Sequence, residues 1–230
     1  MQENHTLLDS ITSFFVPVHK DGYKFVGAFA AVALALSLVS EPLGWLGAIA
    51  TLYCAYFFRD PERFTPQGEG LVIAAADGRI SAIEDVVPPK ELDLDGKKRT
   101  RISIFLSVFD VHINRSPVAG KIIKMVYVPG KFLNAELDKA SEENERQCLT
   151  LETSGGIRIG CVQIAGLIAR RIVTFVQEGV TVEAGERFGL IRFGSRTDIY
   201  LPPGVKPVVR VGQTAIGGET VLARIGPGQK

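Results

Sequence analysis

Val182–Pro202 reads VEAGERFGLIRFGSRTDIYLP. Before Gly194-Ser195 the residues are apolar and β-prone (Leu190, Ile191, Phe193), and after it Ile199, Tyr200 and Leu201 run up to Pro202, a strand stop. The stretch therefore predicts two strands meeting at a tight corner at Gly194-Ser195. Gly and Ser are default turn residues, so the dipeptide alone reads as an ordinary hairpin turn. A second reading is also open. Glycine reaches backbone angles closed to other residues, so a Gly-Ser peptide can be held strained, with little hindrance at its carbonyl. A hydroxyl attacking its own preceding peptide bond needs that arrangement.

Outward from this corner the same pattern continues. Short β-prone runs separated by glycine turns begin at Leu71: LVIAA, GRISAI, RISIFLS, GKIIKMVYV, CLTLET, GIRIGCVQIAG, VTVEAGERFGLIRF, TDIYL, KPVVRVG and ETVLARI. They predict a mainly β domain, a barrel or sandwich. A faint internal repeat runs through it. AAADGRISAI (Ala74–Ile83) shares its frame with SPVAGKIIKM (Ser116–Met125), and EAGERFGLI (Glu183–Ile191) is echoed by IGGETVLARI (Ile216–Ile225). Gly-Glu turns of this kind recur in the swapped-hairpin barrels of biotinyl and lipoyl carriers. A carrier needs a lysine at an exposed tip, whereas Lys124-Met125 falls inside a strand pattern, so the repeat is read as shared architecture and not as carrier function.

The N-terminal part differs. Leu7, Leu8, Ile11, Phe14 and Phe15 fall on one helical face, read equally as an interfacial helix or one packed on the rest, and Pro17 ends it. Phe25 to Phe58 carries one charge, Glu41, and Glu41-Pro42 splits it into two apolar runs, each short of the roughly 20 residues that cross a bilayer. Two helices joined by a Ser-Glu-Pro turn would form a membrane-associated hairpin, and Lys20, Lys24, Arg59 and Arg63 would keep both ends on the cytoplasmic side. The alternative is a buried hairpin in a soluble protein. The composition changes after Arg59-Asp60-Pro61, so the expected domains are 1–64 and 65–230.

Across 230 residues the net charge is +1, without the basic excess of a nucleic-acid binder. Cys54, Cys148 and Cys161 are odd in number and lack a CxxC, indicating neither a disulfide framework nor a metal site. A reduced, cytosol-facing compartment fits. MQENHTLLDS has no basic n-region and apolar core, so no export is expected.

AAADGRI (Ala74–Ile80), FLSVFDVHINRSPVAGKI (Phe105–Ile122), NER (Asn144–Arg146) and FGSRTDIYLP (Phe193–Pro202), in this order, resemble the phosphatidylserine decarboxylase proenzymes of the short form. The likeness runs from about Phe57 to the C-terminus. It implies that Gly194–Ser195 cleaves itself by an N-to-O acyl shift and β-elimination, leaving a pyruvoyl group at Ser195 and a heterodimer of chains 1–194 and 195–230, with further assembly left open. The pyruvoyl ketone would take the amine of phosphatidylserine as a Schiff base and act as the electron sink for CO2 loss, with no separate cofactor. Phospholipid synthesis at the cytoplasmic face of a bacterial membrane would follow.

The resemblance also assigns residues. His112 is the one histidine within the β domain and matches the family's Asp-x-His element; Asp77 matches the aspartate that orients and charges it, although an Asp-Gly turn explains Asp77 equally well. Longer bacterial enzymes carry a second histidine three residues on, where this chain has Arg115. His112 is therefore expected to serve decarboxylation, and the base for self-cleavage is left open between His112 with Asp77 and strain alone. Arg115 is either a ligand for the lipid phosphate or departing carboxylate, or a surface arginine. Asn144–Arg146 lies in a polar segment, Asn134–Gln147, and is read as structural or catalytic alike. The competing functions are a pyruvoyl-dependent decarboxylase of another amine, a carrier-like β module, and a Ser-His-Asp hydrolase, the last disfavoured by the absence of a G-x-S-x-G elbow.

Overall fold

The computed structural model describes residues 16–132, 143–166, 171–192 and 195–226. The helical face at Leu7–Phe15, Gly194 and residues 134–142 of the polar segment lie outside them. The chain divides into two compact units after Glu62.

The first unit is a helical hairpin, α1 (Lys20–Ser37) and α2 (Glu41–Phe57). His19 caps α1, its Nδ1 accepting from the Asp21 amide at 3.3 Å. The turn is Leu38–Ser40, not Ser-Glu-Pro. Glu41 and Pro42 open α2 because proline lacks the N–H that a first helical turn leaves unused. The helices meet through small residues: a Cβ on Gly47 would stand 2.6 Å from the Ala33 Cα, and one on Gly44 would stand 2.7 Å from the Ser37 Cβ. Val32, Leu34, Leu38, Trp45, Leu46, Ile49 and Leu52 are exposed. No described helix is long and apolar enough to cross a membrane.

The described residues of the second unit form strands and turns, with a 3-10 turn at Lys90–Leu92 and a helical residue at Glu143. An eight-stranded antiparallel sheet runs in the order β12 (Thr214–Ala215), β2 (Gly78–Val86), β3 (Arg99–Leu106), β11 (Ser195–Tyr200), β7 (Arg158–Ile164), β6 (Arg146–Glu152), β5 (Gly120–Val128) and β9 (Thr181–Val182). Two smaller sheets accompany it, β4 (Ile113–Arg115) with β10 (Arg187–Ile191) and β8 (Ile172–Thr174), and β1 (Leu71–Ile73) with β13 (Val221–Arg224). Lys124 and Met125 lie within β5, as the carrier argument requires.

Two expectations change. KPVVRVG forms no strand: Pro207 makes one bridge to Ala223 and the chain then turns, since proline has no ladder donor and Gly212 takes a positive φ of 89°. Nor do β10 and β11 pair as a hairpin. β10 and β11 belong to different sheets, so the link between them carries the chain from one to the other.

The repeat is built into the backbone. The large sheet's order reads alike from either edge, and β2 and β5 each carry a register shift two residues after their first glycine, past Ile80 and Ile122. The Gly212 amide donates to the Ile80 carbonyl at 2.8 Å, as Gly179 does to Ile122 at 2.7 Å. Likewise Ile225 donates to the Gly70 carbonyl at 2.7 Å, and Ile191 to His112 at 3.2 Å. An approximate two-fold axis therefore passes between β7 and β11. The main core, including Ile102, Ile104, Leu106, Leu149, Leu151, Ile159 and Ile199, lies on one face of the large sheet. Leu92, Cys148, Val162 and Tyr200 pack on the other.

Candidate active site

Ser195 opens β11, the strand held by ladders to both β3 and β7, and faces Leu106 across the first of them. Alternation along the strand turns Ser195, Thr197 and Ile199 toward the main core, and Arg196, Asp198 and Tyr200 to the opposite face. Ser195 is fully buried, and its Oγ meets no hydrogen-bond partner among the described residues. Such an orphaned hydroxyl costs about 1–3 kcal/mol.

The opposite face holds a buried Arg196–Asp198 ion pair and, beside it, a buried Arg101 that reaches the exposed Glu84. Arg196 Nε stands 2.9 Å from Asp198 Oδ1, its NH2 donates to Oδ2 at 3.1 Å, and Arg101 NH2 pairs with Glu84 at 2.6 Å. The surroundings are dry. Burial is the main cause pushing the Cys148 thiol up to about 12 and raising Tyr200, and the Asp198 charge adds to both.

His112 is reached through a loop that leaves β3 beside Leu106. The Ser107 amide donates to Asp110 Oδ2 at 2.7 Å and the Phe109 amide to Ser107 Oγ at 3.3 Å, side-chain turns that shape the loop. His112 is fully buried, with Nδ1 2.9 Å from the Asp110 carbonyl. A carbonyl only accepts, so Nδ1 carries the proton and Nε2 is the basic nitrogen. The Ile191 bond to its carbonyl ties His112 to the end of β10, whose chain runs on to Ser195.

Asp77 sits just before Gly78, where a Cβ would collide with the Phe105 carbonyl oxygen. Its Oδ2 pairs with Arg63 NH2 at 2.7 Å, and its Oδ1 accepts from the Gly217 amide at 2.8 Å. Arg115 is buried and not a surface arginine. Its NH1 donates to the Gly185 carbonyl at 3.0 Å, and a Cβ on Gly218 would stand 2.7 Å from its Cδ. The Arg115 amide donates to the Ala75 carbonyl at 2.8 Å, which ties the strand following His112 to the segment carrying Asp77. Asn144–Arg146 is engaged in the scaffold: Asn144 Nδ2 donates to the Ala165 carbonyl at 2.8 Å, Glu145 Oε1 accepts from the Ile172 amide at 3.3 Å, and Arg146 pairs with Glu91 at 3.0 Å.

The two-fold relates these positions to a second place. Ile191 bonds His112 as Ile225 bonds Gly70; Asp77 and Ala119 each precede the first glycine of their strand. Ser195 faces Leu106 as Ile157 does Thr153, whose amide donates to the Ile157 carbonyl at 3.0 Å. Gly70, Ala119 and Ile157 all line one cavity of about 880 Å³.

Three further polar residues escaped the sequence reading. Gln163 Nε2 donates to Asn114 Oδ1 at 2.7 Å, and Thr197 stands opposite Gln163 across the β11–β7 ladder. All three are fully buried. The available signal was that Gln163 is the one polar side chain in IGCVQIA (Ile159–Ala165).

Residues 50–223 match the family described as phosphatidylserine decarboxylase. The chain is also 60% identical over 214 residues, 93% of its own length and 87% of the relative's, to the phosphatidylserine decarboxylase proenzyme of Nitrobacter winogradskyi.

Proposed function

This chain belongs to the phosphatidylserine decarboxylase family, and on that premise we propose that it cuts its own Gly194–Ser195 bond, then converts phosphatidylserine to phosphatidylethanolamine and CO2 through a pyruvoyl group made from Ser195. The observation that carries this reading is the buried Ser195 hydroxyl at the head of the central strand, which has no hydrogen-bond partner among the described residues. A fold has no use for such a group, and an acyl shift does.

Ser195 Oγ attacks the Gly194 carbonyl while His112 Nε2 takes the hydroxyl proton, and the peptide nitrogen leaves as an amine on the new ester. β-Elimination then releases the Gly194 carboxylate, and hydrolysis of the residual enamine gives the pyruvoyl end and ammonia. When formed, that group supplies an acceptor for the substrate amine and a sink for the electrons left by CO2. The ladders to β3 and β7 hold the new chain end in place. His112 then holds the proton that Cα receives. Asp77, fixed by Arg63 and Gly217, is the candidate for orienting His112. Arg115 is the candidate ligand for the lipid phosphate or departing carboxylate. The shared cavity at Gly70, Ala119 and Ile157 supports the convergence of His112, Asp77 and Ser195 on one equivalent spot.

The two-fold pattern supports a swapped-hairpin barrel as the finer description of the β unit. The hairpin helices are 18 and 17 residues, about 26 Å at 1.5 Å per residue against a hydrocarbon core of about 30 Å. Their exposed apolar faces, with Lys20, Lys24 and Arg59 at the open end, support insertion into a bacterial membrane from its cytoplasmic side.

The test is the intact mass of the protein under denaturing conditions. Wild type is expected as two chains, 1–194 and a pyruvoyl-blocked 195–230. Ser195→Ala should stay whole and inactive, and His112→Ala should lose decarboxylation. A whole wild-type chain with full activity would overturn the reading.

A further inference from the structure

The amide pair Asn114–Gln163 and the Thr197 hydroxyl are expensive features. Beyond their mutual bond, Asn114 Nδ2, Gln163 Oε1 and Thr197 Oγ1 meet no partner among the described residues, and each such buried group costs about 1–3 kcal/mol. The two-fold shows that the fold does not require them. Leu71 pairs with Arg224 and Val72 with Ala223 as Ile113 pairs with Leu190 and Asn114 with Gly189, so Val72 is the counterpart of Asn114. Arg196 faces Phe105 as Arg158 faces Glu152, which makes Ile159 the counterpart of Thr197 and Leu201 that of Gln163. Val72, Ile159 and Leu201 are buried and apolar. Opposite Asn114 stands Gly189, where a Cβ would be 2.7 Å from the Val173 carbonyl oxygen and 2.9 Å from Gln163 Nε2; its counterpart, Ala223, has a Cβ. Gly189 thus leaves room both for the Val173 carbonyl of the adjoining strand and for the Gln163 amide.

These groups lie on the Ser195 side of the sheet. Ser195 is one pleat from Thr197 on the same face, and His112 precedes Asn114 by two residues of extended chain. The pair presents one unused donor and one unused acceptor, and turning both amides over exchanges their roles without changing that count.

We propose that Asn114, Gln163 and Thr197 read the α-amino-acid head group of the substrate. Gln163 Oε1 accepts from the ammonium nitrogen, and Asn114 Nδ2 and the Thr197 hydroxyl donate to the carboxylate. This rests on the phosphatidylserine reading above. Neutral donors suit a carboxylate that must depart as CO2, because a full positive charge beside it would stabilise the ground state more than the transition state and slow the step; of the two roles open to Arg115, this leaves it the lipid phosphate.

The test gives the full-length protein the residues of its other half, Asn114→Val with Gln163→Leu. The melting temperature should hold or rise, since two unsatisfied groups are removed. Intact mass should show wild-type cleavage, and phenylhydrazine should titrate the same carbonyl per chain. The kcat/KM for phosphatidylserine in mixed micelles should fall roughly 100-fold, with KM raised, as expected for two lost hydrogen bonds to charged groups. A kcat/KM within about threefold of wild type would overturn the proposal. So would an insoluble variant or a Tm lower by more than about 5 °C, because the amides would then be structural. Lost cleavage in a folded variant would assign them to processing instead. Failure of the underlying reading appears separately, as an uncut wild-type chain.

Discussion

Arg115 shows what one residue's surroundings add to its identity. Its sequence position offered a lipid ligand or a surface charge, and the structure buries it against the Gly185 and Gly218 turns. Lysine keeps the charge and loses the planar fork. Arg115→Lys is therefore expected to lower Tm by a few degrees through the Gly185 bond and to raise KM for the lipid several-fold; a lower Tm with unchanged KM, from melting and steady-state assays, would confine Arg115 to the turns. Ser195, His112 and Asp77 stood out in the sequence as candidates because the motifs that hold them resemble those of a family. Asn114, Gln163 and Thr197 were not, because a polar residue inside a strand pattern becomes costly only once distant strands bury it. The Nδ1 proton of His112 was equally hidden, being set by a carbonyl two residues away.

Among the elements, β11 combines a reactive face with an ionic one. The Arg196–Asp198 pair is wholly out of water, and removing one partner strands the other charge. Asp198→Asn should cost about 3–5 kcal/mol in urea unfolding, whereas an exposed pair would cost under about 1 kcal/mol. Most strands were readable from their alternation. KPVVRVG misled because its β-prone valines outnumber the one proline that decides the matter, and the hairpin's turn fell two residues early because Pro42 suits a helix start. The repeat looked faint because the two halves share backbone bonds rather than side chains: His112 answers to Gly70 and Asp77 to Ala119.

At the scale of the molecule, the segment after Gly194 is threaded through the β unit. It supplies β11 at the middle of the large sheet, β12 at its edge, and β13 in a separate sheet beside β1. Before cleavage these strands find their places as parts of one chain. Afterwards, denatured protein must bring two chains together. Refolding of the processed enzyme should therefore slow on dilution, while the uncut Ser195→Ala chain refolds at a rate independent of concentration; equal dilution behaviour in stopped-flow refolding would contradict this. The processed enzyme can then be assembled as a single chain only once. Its lifetime in a cell is governed by how seldom it opens and not by the equilibrium between open and closed forms, and each opening in dilute surroundings is an irreversible loss to be replaced by new synthesis.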